Sequence, residues 1–158
     1  MSLWAWALEA WSRPGVERAC LELQDQGDQC IALLLWWAWM LAEGRPTNPE
    51  LAHLAADVAR PIETKVLRPM RSARRALAAE PEMVGRERME EARQAIRRVE
   101  LGLERALLEA VEVLAPEPAL NTEPASPEAM APLFEAWNGP PSKEMISGPA
   151  ATFVKALL

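Results

Sequence analysis

Residues 29–43 read QCIALLLWWAWMLAE, and every side chain from Cys30 to Ala42 is apolar. A helix with no polar face belongs either at the centre of a core or across a bilayer. The run is 13 residues long, and a bilayer needs ~20. It therefore predicts a central buried helix, with Trp36, Trp37 and Trp39 on it. The rest of the fold is read outward from there.

Two short helices precede it. Ser2 suits the cap of the first, whose stripe reads Leu3, Trp4, Ala7, Leu8 and Trp11, with Trp6 on the flank. Ser12-Arg13-Pro14-Gly15 breaks that helix, and Pro14 suits the first turn of the next. There Val16, Ala19, Cys20 and Leu23 share one face. Gly27 ends it and Asp28 is placed to cap the central helix. Gly44 supplies the stop beyond.

Asn48 caps a fourth helix with Leu51, Leu54, Ala55 and Val58 in helical spacing. Pro61 either kinks it or opens a new one, and Pro69 is a second kink point. The apolar pattern runs on through Ile62, Val66, Met70, Ala73 and Leu77. Ala79-Glu80-Pro81-Glu82 reads as a turn. A long helix follows, with a heptad seam of Met89, Ala92, Ile96, Val99, Leu103, Ala106, Ala110 and Val113. Folded back on its predecessor, it makes a long antiparallel helical hairpin. The fold class is thus all-α: a compact bundle of three short helices around the buried Trp-rich helix, plus the hairpin. Abundant Ala, Leu, Glu and Arg, with no tyrosine, agree.

The character changes after Ala115. Residues 116–158 hold 8 of the 14 prolines, so the expected division is a helical domain over 1–115 and a Pro-rich tail over 116–158. Two amphipathic pieces sit in the tail. One carries Met130, Leu133, Phe134 and Trp137; the other carries Ala150, Phe153, Val154 and Leu157.

Four segments together resemble a known family: LWAWALEAWSRPGVERACLELQD, QCIALLLWWAW, PIETKVLRPMRSARRAL and VELGLERALLEA. The family is a bacterial one of short, Trp-rich helical proteins carrying a conserved domain of unknown function, and the resemblance spans about residues 3–114. It implies a bacterial helical domain and hands over no activity, substrate or site residue. Where members carry an Asp and an Asn, this chain has Cys30 and Ala32.

Charge is segregated. Residues 60–98 carry 11 Lys or Arg against 6 Asp or Glu, while the remainder carries 6 against 17. Within RPIETKVLRPMRSARR, residues Arg68, Arg71, Arg74 and Arg75 offer a surface for an anionic partner, RNA among them. The alternative is a solvated face neutralised by Glu87, Glu90 and Glu91 on the returning helix. No aromatic residue interleaves these arginines, so base stacking has no platform. In the tail, Met130, Leu133, Phe134 and Trp137 form a stripe of the kind that docks in a partner's groove. It either does so or folds back on its own domain, where Trp6 is a candidate receptor.

Catalytic motifs are lacking. His53 is the only histidine, and no metal spacing, phosphate loop or nucleophile elbow is present. No catalytic, cofactor-binding or metal residue is expected, and no cofactor. Cys20 and Cys30 read as reduced, buried thiols. With no basic region before its first apolar residues, and with Glu9 among them, the N-terminus does not read as a secretory signal. The expectation is a non-catalytic, cytoplasmic protein-interaction or adaptor protein without a membrane span. Its partner-binding residues would be Arg68, Arg71, Arg74, Arg75, Trp6, Met130, Leu133, Phe134 and Trp137. An alternative is a binder of, or enzyme acting on, an apolar small molecule held between helices beside the tryptophans. RNA binding through the basic arm is a third. The oligomeric state stays open, because the heptad seam can pair within a chain or between chains.

Overall fold

The computed structural model describes residues 1–79, 85–119, 126–139 and 142–157. Among them all regular structure is helical. In order come α1 (Leu3–Trp11), α2 (Val16–Gly27), α3 (Ile31–Ala42), α4 (Pro49–Ile62), a π-helical turn (Glu63–Leu67), α5 (Arg68–Ala79) and α6 (Arg86–Glu112). The C-terminal segment holds a 3-10 turn (Pro127–Met130), α7 (Ala131–Asn138), α8 (Lys143–Met145), a second π-helical turn (Ile146–Ala150) and α9 (Ala151–Leu157). The turn expected at residues 79–82 lies, after Ala79, outside the described residues. So does half of the Pro-rich linker.

The chain clusters into two units, one of Met1–Ala59 with Leu108–Leu158 and one of Arg60–Leu107.

In the first unit α3 is the centre, as its sequence predicts. All residues from Ala32 to Met40 are buried. Trp36 and Trp37 meet edge to face, with ring centroids 5.8 Å apart. Helices α1, α2, α7 and α9 pack against α3. The Trp37 indole N–H donates to the Ala129 carbonyl at 2.7 Å, which ties the C-terminal segment to the core helix. Helix α2 buries the expected Val16, Ala19, Cys20 and Leu23. Its end differs from expectation. Asp28, at φ +50°, closes α2 by donating its N–H to Leu23, and Cys30 takes the N-cap position of α3.

Helix α1 buries Leu3, Trp6, Ala7 and Ala10, while Leu8 is exposed and Trp4 and Trp11 are half-buried. The expected stripe was therefore rotated, and Trp6 is core rather than flank. Apolar residues lie on both sides of Leu3 and Ala7, so periodicity alone had two solutions. Helix α4 shows the same correction in a sharper form. It buries Ala52, Ala55, Ala56 and Ala59, and turns Leu54 and Val58 outward.

The second unit is a helical hairpin. Arg71 on α5 bonds Glu104 on α6, and Arg74 bonds Glu100. The partners descend as the arginines ascend, so the arms are antiparallel. Pro61 and Pro69 neither break the chain nor open a new helix. Each lacks an N–H and crowds the carbonyl four residues back. Between them the helix widens to a π-helical turn, closed by the Arg68 N–H on the Glu63 carbonyl.

The heptad seam holds only in part. Within this unit Met89, Glu100 and Leu107 are buried, whereas Val99 is 51% exposed. Past residue 107 the helix, now in the first unit, buries Leu108 and Val111, and Val113, just beyond its end, is 80% exposed. A straight helix drifts by ~20° per heptad from a strict seam, and the arginines of α5 draw Glu100 and Glu104 inward.

Candidate functional site

Two places combine unusual placement with chemistry. The first is the ion cluster of the hairpin. Glu63 lies in the π-helical turn with its side chain 3% exposed, and Arg71 reaches it from two turns along. The guanidinium donates through Nη1 and Nη2 to the two Glu63 oxygens at 2.5 and 3.4 Å, and through Nη2 to Glu104 Oε1 at 3.0 Å. Arg74 Nε donates to Glu100 Oε2 at 2.8 Å. The other oxygen of Glu100, Oε1, is buried with no hydrogen-bond partner.

Three carboxylates thus face two guanidinium groups. Burial raises the Glu104 carboxyl above its ordinary pKa, and the nearby Glu100 and Glu63 add to that, against the opposing pull of Arg71. Burial opposes the charge on Arg71, but bonds from Glu63 and Glu104 outweigh it and hold the guanidinium pKa up.

The basic arm is therefore not the open surface that its sequence suggested. Arg71 is buried and Arg74 half-buried, both in ion pairs, while Arg68 and Arg75 are exposed and also have contacts within the chain. The neutralising carboxylates are Glu63, Glu100 and Glu104. Glu90, expected in that role, bonds Arg93 and Gln94 on its own helix instead. Glu87, Glu90 and Glu91 line a shallow depression along α6 with Arg86, Gln94 and Arg98.

The tail residues are brought together, but inward. Met130, Leu133, Phe134 and Trp137 are buried in the first unit, as is Trp6. The Trp137 indole donates to the Asp28 carbonyl at 2.7 Å, and Asn138 Nδ2 donates to the same oxygen at 2.8 Å. Leu157 is buried too, and its carbonyl accepts from Arg13 Nη1 at 3.0 Å. The stripe fills a core position and presents no docking face.

The second place is the outer face of α4. Leu54 is 50% and Val58 38% exposed, Leu51 is half-buried, and His53 and Asp57 lie beside them in solvent. Sequence reasoning found these apolar residues but assigned them to the core. The signal it lacked was the alanine set at positions 52, 55, 56 and 59, an equally regular stripe.

Elsewhere the chemistry is quiet. Burial pushes the Cys20 thiol up to about 12, so it is no thiolate at neutral pH. Cys30 is also buried and free of disulfide. Among the described residues no group of three or more His, Cys, Asp or Glu side chains is arranged to hold a metal ion. No helix among them is long and apolar enough to cross a membrane.

Fold and sites together define an all-α protein with a Trp-rich core and a charge-clasped hairpin. The chain belongs to the family described as Protein of unknown function (DUF2390), whose profile matches residues 2–111. No curated protein and no solved structure matches it.

Proposed function

We propose that the protein acts by non-catalytic contact with another protein in the bacterial cytoplasm, and that the outer face of α4 is the contact surface. One observation carries the reading: α4 has its small and large apolar residues on the faces opposite to those a self-contained core would use. A single exposed leucine is ordinary. A helix that buries four alanines while turning Leu54 and Val58 to solvent is not, and an apolar helix stripe is a common recognition element.

The RNA reading draws less support, since Arg71 and Arg74 already bond carboxylates of their own hairpin. For the small-molecule reading, Trp36, Trp37 and Trp39 are buried in the core of the first unit, and the indole nitrogens of Trp36 and Trp39 are buried there with no hydrogen-bond partner. The test is a photo-crosslinking side chain at position 54, used in living cells, with position 144 on α8 as the exposed control. Adducts specific to position 54 support the reading. Their absence refutes it.

A further inference from the structure

We infer that Glu100 and Glu104 hold one proton between them, and that this shared proton makes the clasp of the hairpin pH-sensitive, tighter in acid and looser as the pH rises. The starting point is an acceptor left over inside the ion cluster. The Glu100 side chain is 8% exposed. Its Oε2 accepts from Arg74 Nε, while Oε1 is buried with no hydrogen-bond partner. A buried carboxylate oxygen without a donor is costly. Both guanidinium groups are already committed, Arg71 to Glu63 and Glu104 and Arg74 to the other oxygen of Glu100.

The cluster also holds one acid more than its bases. Glu63 from the π-helical turn and Glu100 and Glu104 from α6 meet Arg71 and Arg74 from α5, three carboxyl groups against two guanidiniums. One proton balances the charge and supplies the missing donor in the same act. Glu104 is placed to carry it. It lies one turn beyond Glu100 on the same side of α6, and it bonds Arg71 through Oε1, which leaves Oε2 to carry an O–H toward Glu100 Oε1. Burial favours the neutral form of Glu104, and Glu100 and Glu63 add to it against the pull of Arg71. Two carboxyls that share a site in this way titrate as a pair.

Loss of the proton sets like charges one turn apart, with Glu100 sealed in. The Glu104 side chain is 34% exposed, so it is the one able to turn to water, and in turning it gives up Arg71. Of the two bonds that cross from α5 to α6, Arg74 to Glu100 then remains. The folded chain holds this proton to a higher pH than the unfolded chain does. Its contribution is therefore complete below the ordinary glutamate range and is lost as pH rises through the folded value.

Carbon-13 NMR of the glutamate carboxyls in the full chain, assigned through their own side chains and followed from pH 4 to 8, reads the proton directly. The Glu100 and Glu104 signals should move together through one step above the ordinary glutamate value of ~4.3. Glu100→Gln keeps the size, removes the like charge and offers an amide N–H to Glu104, so the Glu104 midpoint should fall. Glu104→Gln gives Glu100 Oε1 a permanent N–H donor, and the Glu100 signal should lose the step. A step shown by Glu104 alone, or one within the ordinary range, would overturn the inference. So would a Glu104 midpoint that Glu100→Gln leaves in place. Circular dichroism checks that the variants fold, and the wild-type titration decides by itself if either does not.

Discussion

Replacing Arg71 by methionine tests what holds the hairpin together. The substitution keeps an unbranched apolar stem, shorter than arginine's, and removes the charge. In the native protein Arg71 and Glu63 are 9% and 3% exposed at the side chain, with contacts of 2.5 and 3.4 Å, and Glu104 adds one at 3.0 Å. At 3 Å and an effective dielectric of 20, each full charge pair is worth ~5 kcal/mol before desolvation. Much of that is cancelled by the cost of taking the charges out of water. A buried pair is therefore close to neutral against an apolar replacement of both members.

Removing one member alone is different. Arg71→Met leaves the Glu63 carboxyl buried without the guanidinium, a loss of ~3–5 kcal/mol. In a chain of this size that lowers Tm by on the order of 10 °C. Glu63→Gln in the same background removes the stranded carboxyl and should recover most of the loss. Far-UV circular dichroism through thermal and urea unfolding of the wild type, both single variants and the double variant closes the cycle. A loss under ~1 kcal/mol for Arg71→Met would refute the reasoning, because only a hydrated, surface-like ion pair is so cheap to break.

Four further outcomes are expected. Glu104 has a raised carboxyl pKa in the folded state, so its contribution is fully present below the ordinary glutamate range and is lost as pH rises through the folded value. Glu104→Gln should flatten that part of the stability-against-pH curve, in melts taken from pH 4 to 8. Trp37→Phe strips the donor from the Ala129 carbonyl and should cost about 1–3 kcal/mol by urea titration. Leu133→Ala should cost about 2–5 kcal/mol in the same titration, the price of a core leucine; a value near zero would mean that the C-terminal segment is loosely attached. On α4, Ala56→Leu overpacks the buried side and should cost ~1–3 kcal/mol, while Leu54→Ser on the outer side should stay within ~0.5 kcal/mol.

The parts of the fold legible in the sequence are those where only one arrangement of side chains satisfied the pattern. Helix α3 is apolar all round, so it had nowhere to go but the centre. Helix α2 and the stripe of Phe153, Val154 and Leu157 each offered a single apolar face, and each buries it. Helices α1 and α4 offered two. Hydrophobicity ranks leucine above alanine, but helices approach to 8–10 Å according to the size of the residues between them, and a close approach takes alanine. That preference depends on the neighbour, which no local pattern contains.

The ion cluster was half legible. The arginines stood out, and Glu63 was the one acidic residue among them. Their partners on α6, Glu100 and Glu104, lie 26 and 33 residues beyond Arg74 and Arg71, and were not the carboxylates expected. The seam residues Val99 and Ala106 looked like better core than two glutamates. What decides the matter is that a buried arginine must be paired, so the phase of α6 follows charge rather than hydrophobicity.

The aromatic residues are all on one side of the division between units. The seven tryptophans and both phenylalanines lie within residues 1–59 and 108–158, the chain has no tyrosine, and Arg60–Leu107 contains none of these rings. The molecule therefore carries its own optical partition. Tryptophan emission and near-ultraviolet dichroism report on the first unit alone, whereas far-ultraviolet dichroism counts the helices of both. Following the two signals through one unfolding titration, with no label added, reads the hairpin as the difference between them. Coincident curves would mean that the chain melts as a single cooperative body, and separated curves would give the clasped hairpin a stability of its own.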